Sequence, residues 1–582
     1  MASIVAPSLL LTVLLIALPV FGGEYLSLQV GLYLLYGIAA QGVALAWGRG
    51  GFLPLGNALF FGLAGYGTAM ALNMTGGALL PSVAAVIVIA IALAAFAWAL
   101  AAIIFRGRTD SGPFFSLITL SLVLIASQLA ETNPDITGGF NGLTGFPPLA
   151  GLDPFGNLYY VIAALVLVVS VSLMAIERLP AGLVMRALVS QEPRLQTLGF
   201  ATNQVKAWIF AGSAFITALA GALFATHQGL VSPPSTGFLL STEFVIWAAV
   251  GGRLHPLGAL FGAVAIGMLS AELRDTFAWW EVTIAVVFLL VVLFAPGGAA
   301  ELFVRFLRKL GLRAKPPTHP ATPAPASRAQ TSSGALSLDD VDLHAGSVHI
   351  LRSLSFDAAV SGTLGVIGPN GAGKPTMLKA ITGAMPVQSG AVRLGTKDIT
   401  NSTPHRALDA GIGRKFQIPT VFGGLSVHEN LQLAALAARA RARDFLRSAA
   451  LGWQTAPLTR LLETPGVTLA AQGQDDAGTL PQGHRQMLEL ALTIGAAPKI
   501  LLLDEPTAGM SPEESALMVR LIQDYQRDTD AFVLVIEHDM SLVEALEARV
   551  LVVHQGHALA EGTLQDIRGN DEVTAVYAGG KK

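Results

Sequence analysis

Long apolar segments fill the first three hundred positions of the chain. Several of them approach the roughly 20 residues that a helix needs to cross a bilayer. They lie at about residues 8–21, 27–47, 52–73, 79–105, 113–130, 158–176, 207–227, 238–252, 257–270 and 282–295. The short runs at 238–252 and 257–270 form either a re-entrant pair or two spans. The pattern predicts a polytopic all-α membrane domain over residues 1–313, with about 8–10 spans and an even number of crossings.

Basic residues mark alternate loops between these runs. The loops 131–157 and 228–242 contain no Lys or Arg. The other set carries Arg49, Arg106, Arg108, Arg178, Arg186, Arg194, Lys206, Arg305, Arg308, Lys309 and Arg313. Because cytoplasmic loops are enriched in Lys and Arg, both termini are predicted to be cytoplasmic.

The pattern changes after residue 313. Residues 314–335 are rich in Pro, Ala, Ser and Thr and have no periodic apolar face, which predicts a linker. From 336 to 582, apolar strands alternate with helical patterns, which predicts an α/β domain.

Composition supports this division. The 582 residues are 53% hydrophobic and 13% charged, and only nine of the 36 Lys and Arg lie in residues 1–300. The first part therefore belongs in a lipid bilayer and the second resembles a soluble domain. The net charge of −3 argues against a nucleic-acid partner. The absence of cysteine excludes disulfides and cysteine-ligated metals.

A glycine-rich loop lies between a predicted strand and a predicted helix in the α/β domain. Such a loop curls backbone N–H groups around phosphate oxygens at a helix N-terminus. It consists of Gly368, Pro369, Asn370, Gly371, Ala372, Gly373, Lys374, Pro375 and Thr376. Lys374 supplies a charge for the outer phosphates of ATP. Pro375 stands where a Ser or Thr hydroxyl would hold Mg²⁺.

Other polar groups follow predicted strands or mobile segments. Asp504 ends the apolar strand 500–504 and is a candidate for holding the water shell of Mg²⁺, and Glu505 for orienting or deprotonating the attacking water. His538 follows another strand and is a candidate donor to the γ-phosphate. Gln417 lies in a loop from which it reaches metal or water. The sequence thus predicts ATP and Mg²⁺ as cofactors, with Glu505, His538 and Gln417 in catalytic roles.

These features appear in the order found in the ATP-binding subunit of ABC transporters, which residues 336–582 resemble. The segments Gly411–Phe422 and Ala508–Glu514 resemble importers of branched-chain amino acids and urea, and lean to the urea branch. Residues 1–310 resemble the matching permease, on Leu55–Tyr66 and Val250–Ala259 among other segments. The resemblance implies a multidomain chain, a membrane permease followed by a P-loop NTPase.

The resemblance also implies partners and a compartment. A second permease and a second ATPase domain, identical or different, complete the pore and the ATPase sandwich. An extracytoplasmic binding protein delivers the substrate, and the chain lies in a bacterial inner membrane. The loop 177–206 would be the coupling helix. Gly483, in the signature segment 480–484, would contact nucleotide held by the opposite subunit.

Several residues depart from the family pattern. Pro375 lacks the Mg²⁺-ligating hydroxyl, and Pro481 replaces the signature serine. His484 replaces a glutamine, and Ala345 stands near where an aromatic side chain would stack on adenine, with His344 beside it. We therefore expect an importer of branched-chain amino acids, urea or short amides with slow hydrolysis. The alternatives are a catalytically impaired nucleotide-binding subunit with a regulatory or assembly role, and an exporter.

Overall fold

The computed structural model describes residues 2–106, 112–309, 322–325, 335–358, 361–437 and 439–578. The first part of the chain forms thirteen described α-helices and two very short strands. They are α1 Ala2–Ala44, α2 Asn57–Thr75, α3 Leu79–Ile104, α4 Gly112–Thr132, α5 Pro134–Thr137, β1 Leu143–Thr144, α6 Leu158–Ile176, α7 Pro180–Ser190, α8 Glu192–Thr197, α9 Thr202–Gln228, β2 Leu230–Val231, α10 Phe238–Gly251, α11 Pro256–Thr276, α12 Trp280–Phe294 and α13 Gly298–Lys309.

The second part of the chain alternates strands and helices, as predicted. Its described elements are β3 Thr322–Pro323, β4 Leu336–Ala345, β5 Val348–Asp357, β6 Gly362–Ile367, α14 Lys374–Ile381, β7 Ser389–Leu394, β8 Lys397–Asp398, α15 Pro404–Asp409, β9 Ile412–Lys415, α16 Val427–Leu436, β10 Trp453–Gln454, α17 Ala456–Glu463, α18 Gln482–Gly495, β11 Ile500–Asp504, α19 Pro512–Thr529, β12 Phe532–Ile536, α20 Met540–Ala545, β13 Arg549–His554, β14 His557–Gly562, α21 Leu564–Arg568 and α22 Asp571–Ala578.

The chain divides into two compact units. The first unit contains Met1–Arg178 and Asn203–Pro317, and the second contains Leu179–Thr202 and Thr318–Lys582. The segment Leu179–Thr202, which carries α7 and α8, therefore belongs structurally to the α/β unit although residues of the first unit surround it in sequence.

The helices of the first unit are long and apolar. Within the described part of the chain, six are long and apolar enough to cross a membrane, or up to seven if the bent pair Val282–Phe294 and Gly298–Phe306 forms one span. The predicted number of 8–10 spans stays a prediction. Two predicted apolar runs lie in α1, which is interrupted by a non-helical Gly23 with φ 70°. A continuous helix of that length would measure about 65 Å, roughly twice the thickness of the hydrocarbon core.

The two short apolar runs at 238–252 and 257–270 form helices of different length. The helix α10 has only 14 residues and is largely buried. The helix α11 has 21 residues and is long enough to span a bilayer. The apolar run ends near 270 because Glu272 and Arg274 interrupt it, whereas the helix continues to Thr276.

Loops of the first unit meet in two groups. Arg49 donates to the Glu177 carboxylate at 2.5 Å and to the Leu254 carbonyl at 2.8 Å. The loops without basic residues meet separately, because β1 and β2 pair antiparallel, with Leu143 opposite Val231. Loops that share the predicted basic character therefore contact one another, and so do loops that lack it.

Glycines allow close helix packing in this unit, as small residues do in lipid. A Cβ atom at Gly221 in α9 would overlap the carbonyl oxygen of Phe61 in α2. By contrast, a Cβ atom at Gly212, nine residues earlier in the same helix, would make an ordinary 3.5 Å contact with Leu45.

The second unit is built on two sheets. A six-stranded sheet has the order β14-β13-β6-β12-β11-β9, and its neighbours are parallel except for the β13–β14 hairpin. A four-stranded antiparallel sheet has the order β5-β4-β7-β8. The strands β11 and β12 are buried along their whole length, which explains their uniformly apolar sequences. The carboxyl ends of β6, β9, β11 and β12 carry the predicted site.

Most of the predicted linker 314–335 lies outside the described residues, as do Arg108 and Arg313. Its described part pairs with another segment of the second unit. Thr322 and Pro323 form a parallel pair with Trp453 and Gln454, and the Ala324 amide donates to the Gln454 carbonyl at 2.8 Å. Proline composition hid this strand, because Pro323 lacks an amide and is tolerated only where no donor is needed.

The glycines of α9 give a test of the packing. We expect Gly221→Ala to destabilise the full chain by about 1–3 kcal/mol, since the new methyl group must displace a backbone carbonyl. Gly212→Ala is the matched control and should be neutral or stabilising by up to about 1 kcal/mol, because alanine favours the helix. Thermal unfolding in one detergent measures both. Equal effects of the two substitutions would contradict the packing seen here.

Candidate functional site

The glycine loop adopts a conformation that requires its glycines. Gly371 and Gly373 have φ of 84° and 99°, in the region that favours glycine. A Cβ atom at Gly368 would overlap the Val553 carbonyl, and one at Gly373 would lie 2.9 Å from Leu351. The loop is also held by the Gly556 amide, which donates to the Ala372 carbonyl at 3.0 Å. The result is a backbone cradle between β6 and α14, as predicted.

Lys374 begins α14 and is buried in this cradle. Its Nζ donates to the carbonyl oxygens of Gly368 at 2.5 Å and Pro369 at 3.1 Å. Burial lowers the pKa of Lys374, while the carboxylates of Glu505 and Asp504 act in the opposite direction. A phosphate group would replace two neutral carbonyl acceptors with charged oxygens, which are stronger partners for an ammonium group.

The other predicted residues of the glycine loop differ in their exposure to solvent. Asn370 and Pro375 are exposed, Ala372 is buried and Thr376 is partly buried. Pro375 lies in the first turn of α14, where its missing amide breaks no helical hydrogen bond. The proline is therefore compatible with the loop's shape but contributes neither a hydroxyl nor an amide.

Two carboxylates end β11. Asp504 is 3% exposed, and burial raises its pKa, while the Arg414 guanidinium, whose Nη2 lies 3.8 Å from Oδ2, opposes the shift. Glu505 has a left-handed φ of 44°, which is costly for a residue with a side chain. Its carboxylate lies 3.3 Å from Nε2 of His538. The structure thus brings Glu505 and His538 together, because β11 and β12 are neighbours with Asp504 opposite Ile536.

Glu537 was not among the residues predicted from sequence. It is buried, and its Oε1 accepts from the Thr507 hydroxyl at 3.0 Å while its Oε2 accepts from the His538 amide at 3.1 Å. Burial raises the pKa of Glu537, and these hydrogen bonds oppose the shift. The carboxylate therefore joins the loop after Glu505 to the loop that carries His538.

Gln417 lies in an exposed turn after β9. Among the described residues, no hydrogen bond joins its side chain to Asp504 or Glu505, although its carbonyl accepts from Gln486 at 3.4 Å. The turn itself is held by Glu489, whose Oε1 accepts from the Phe416 amide at 3.0 Å and from the Thr420 hydroxyl at 3.1 Å. Glu489 is fully buried in α18 and was also missed by the sequence analysis.

A lysine completes this group of buried charges. Lys415, at the end of β9, is fully buried, and burial lowers its pKa to about 8 despite the opposing carboxylate of Glu489. Its Nζ donates to the Phe416 carbonyl at 3.2 Å. The turn that carries Gln417 is therefore in contact with two buried ionisable groups, Lys415 and Glu489.

The signature segment precedes α18. Pro481 occupies the N-cap position, and no side chain caps this helix. Gly483 is buried, and a Cβ atom there would overlap the Glu514 carboxylate. His484 contacts Gln472, with 3.0 Å between Nδ1 and Nε2. A serine at 481 would both cap the helix and present a hydroxyl, and the proline does neither.

The fit of a magnesium ion rests on Asp504. Its Oδ1 is buried and has no hydrogen-bond partner among the described atoms. No group of three or more His, Asp or Glu side chains in the described residues is arranged to hold a metal. Magnesium commonly keeps several waters and binds one or two carboxylates together with substrate phosphates. The residues present fit such an ion at Asp504, with one ligand fewer than a Ser or Thr at 375 would provide.

His344, which lies beside the expected adenine-stacking position, stacks on a second histidine. His344 and His349 stack with their centroids 4.0 Å apart, and His349 Nε2 lies 2.8 Å from Asp342 Oδ1. The pair lies on the four-stranded sheet, where β4 and β5 meet.

The segment Leu179–Thr202 packs on the α/β unit. Ser190 donates to the Gly423 carbonyl at 2.9 Å, and Arg186 lies 2.8 Å from the Glu429 carboxylate. Phe200 contacts Phe445 edge to face, with 6.2 Å between centroids. Within this unit, the segment predicted to be a coupling helix forms two helices, α7 and α8, that contact the residues around Gln417's turn.

Comparison with known proteins agrees with both parts of the chain. The family described as "Branched-chain amino acid transport system / permease component" matches residues 26–295, and the ABC transporter family matches residues 351–508. Curated relatives cover the second part. The high-affinity branched-chain amino acid transport ATP-binding protein BraF of Pseudomonas aeruginosa is 32% identical over 254 residues, which are 42% of this chain and 97% of the relative.

Two further relatives and one solved structure show the same coverage. LivG of Escherichia coli, a protein of the same description, is 30% identical over 254 residues, 42% of this chain and 97% of its own length. The probable branched-chain amino acid transport ATP-binding protein LivF of Archaeoglobus fulgidus is 31% identical over 245 residues, which are 42% of this chain and 98% of the relative. A crystallised nucleotide-free ATP-binding cassette is 24% identical, covers 42% of this chain and 98% of its own, and has a TM-score of 0.36.

These findings confirm the predicted fold class, a helical membrane domain followed by an α/β ATP-binding domain. They imply nucleotide binding, partner subunits and a membrane, and they do not support the alternative of a catalytically impaired subunit. The descriptions of the three relatives name branched-chain amino acids and do not mention urea. The chain belongs to the branched-chain amino acid family of ABC importers, and it carries a permease and an ATPase domain in one polypeptide.

Proposed function

We propose that this chain uses ATP binding and hydrolysis to import branched-chain amino acids, with urea or short amides as the competing substrate class. The observation that carries the proposal is the presence of both matched families in one chain. The relatives named for branched-chain amino acids favour that substrate. The resemblance of Gly411–Phe422 and Ala508–Glu514 to the urea branch supports the alternative.

The proposed arrangement is a bacterial inner-membrane complex with both termini and the ATPase domain in the cytoplasm. The pairing of loops 131–157 and 228–242 through β1 and β2 supports this topology, since both lack basic residues. A second permease and a second ATPase domain, from another copy or another chain, complete the complex. An extracytoplasmic protein is proposed to deliver the substrate.

We assign the chemistry to residues at the carboxyl ends of the parallel strands. Lys374 and the amides of Gly368–Thr376 bind the phosphates of ATP. Glu505, oriented by His538, positions and deprotonates the attacking water. Asp504, with Gln417 as a further candidate ligand, would hold a magnesium ion, which would supply positive charge to the phosphates of ATP. Gly483 is proposed to contact the γ-phosphate of nucleotide bound by the opposite ATPase domain.

Uptake into vesicles tests the proposal. Right-side-out vesicles contain the full complex, with the binding protein added outside. They should accumulate labelled leucine, isoleucine or valine only with internal ATP. Lys374→Ala should abolish ATP binding and uptake, because the loop loses its charge on the phosphates. Accumulation of urea instead would assign the competing substrate. Outward flux, or unchanged nucleotide affinity in Lys374→Ala, would contradict the proposal.

The two prolines predict slow hydrolysis. We expect the double substitution Pro375→Thr and Pro481→Ser to raise the ATPase rate at least about tenfold, since loss of one charge-stabilising contact typically costs about 10²–10³ in rate. Pro457→Thr, at the start of α17 and outside the site, is the matched control.

The measurement is the steady-state ATPase rate of the full complex, together with its thermal unfolding midpoint. The serine at 481 also caps α18, which stabilises by about 1 kcal/mol, so the midpoint separates a stability gain from a gain in chemistry. An unchanged rate would show that water and backbone already supply what the hydroxyls would add.

A further inference from the structure

A fully buried arginine enters the ATPase unit from the permease part of the sequence. Arg194 lies in α8 and is 1% exposed. Its Nη1 donates to the Arg414 carbonyl at 2.6 Å. Its Nη2 donates to the Glu489 carbonyl at 3.2 Å and to the Thr493 hydroxyl at 2.9 Å. One guanidinium thus bridges β9 and α18.

Packing alone is a poor explanation for this residue. Burial lowers the pKa of Arg194, and only Glu489 offsets that effect, while Arg414 and Lys415 add like charge nearby. Its Nε has no partner among the described atoms. Replacing a whole buried ion pair by apolar residues is often neutral for stability, whereas removing one partner is strongly destabilising. This is therefore a costly position for an arginine, and what the residue contributes there is the three hydrogen bonds of its Nη atoms.

Arg194 binds the carbonyl groups of Arg414 and Glu489. The side chain of each of these residues contacts a part of the candidate ATPase site. Arg414 places its guanidinium 3.8 Å from Asp504 and 4.9 Å from the Phe416 ring centroid. Glu489 uses its carboxylate to hold the Phe416 amide and the Thr420 hydroxyl, which flank Gln417. Arg194 itself lies 5.8 Å from the same Phe416 ring.

We propose that Arg194 is a positioning residue for ATP hydrolysis. By holding the carbonyls of Arg414 and Glu489, it fixes the carboxylate of Asp504 on one side and the turn that carries Gln417 on the other. This inference rests on the proposed function as an ATP-driven importer. It makes the ATPase site complete only while α8 of the permease sequence is in place, so displacement of α8 slows hydrolysis.

Three variants of the full complex separate positioning from packing. Arg194→Met removes the charge and keeps much of the volume, and Arg194→Lys keeps the charge but not the planar fork that reaches three acceptors. The control is Arg186→Met, in α7 of the same segment, which removes a partly exposed ion pair with Glu429. All three are assayed for steady-state ATPase activity, thermal unfolding and amide hydrogen exchange.

Positioning predicts a change in kcat and not in nucleotide affinity. We expect Arg194→Met to lower kcat about tenfold or more, as loss of an outer-shell partner does, with KM for ATP changed less than about twofold. Arg194→Lys should fall between Arg194→Met and wild type, and Arg186→Met should match wild type. Hydrogen exchange should quicken in residues 414–420 of Arg194→Met and remain unchanged in the loop 368–374.

Three outcomes would overturn the inference. The first is a kcat of Arg194→Met within about twofold of wild type. The second is an equal loss in Arg186→Met, which would indicate general loosening of the segment. The third is a lowered unfolding midpoint with unchanged exchange in residues 414–420, which would indicate packing only. A wild-type complex that does not hydrolyse ATP would instead contradict the proposed function.

Discussion

Burial of charge around Asp504 is the constraint on which the ATPase unit depends. Asp504, Arg414 and Lys415 are buried in parallel strands, and Glu489 and Arg194 are buried on the helices α18 and α8 beside them. A buried ion is tolerated only when opposite charges and hydrogen bonds replace its hydration. Each of these groups therefore restricts where the others lie. The nucleotide loop, the turn with Gln417 and the segment Leu179–Thr202 meet at this cluster.

The two units have different requirements. The first unit gains close packing from glycines such as Gly221, whose neighbour is a backbone carbonyl and leaves no room for a side chain. The second unit gains specificity from paired charges. The segment Leu179–Thr202 belongs to the second in structure and to the permease in sequence. A change at the ATPase site and a change in this segment are therefore changes in one folded body.

Local features of the site were predictable, and long-range ones were not. Gly371, Gly373 and Lys374 act through a short loop whose pattern is visible in nine residues, and Asp504 ends a buried strand. Glu537 and Glu489 lie within sequences where a charged residue ordinarily faces solvent. The partners of Arg194 lie 220 to 299 positions away, so no local pattern indicates its burial. Apolar runs do not show whether a helix continues across a glycine such as Gly23, so the number of spans stays a prediction.

A segment of the permease sequence is part of the ATPase unit of the same chain. Ser190 and Gly423 offer a direct test, because the chain has no cysteine of its own and the Ser190 hydroxyl lies 2.9 Å from the Gly423 carbonyl. Cysteines at both positions, oxidised in the full complex, should form a 190–423 disulfide within one chain, identified by peptide mass spectrometry, with neither single-cysteine variant giving it. A cross-link found only between two chains, or none in a folded complex, would contradict the account.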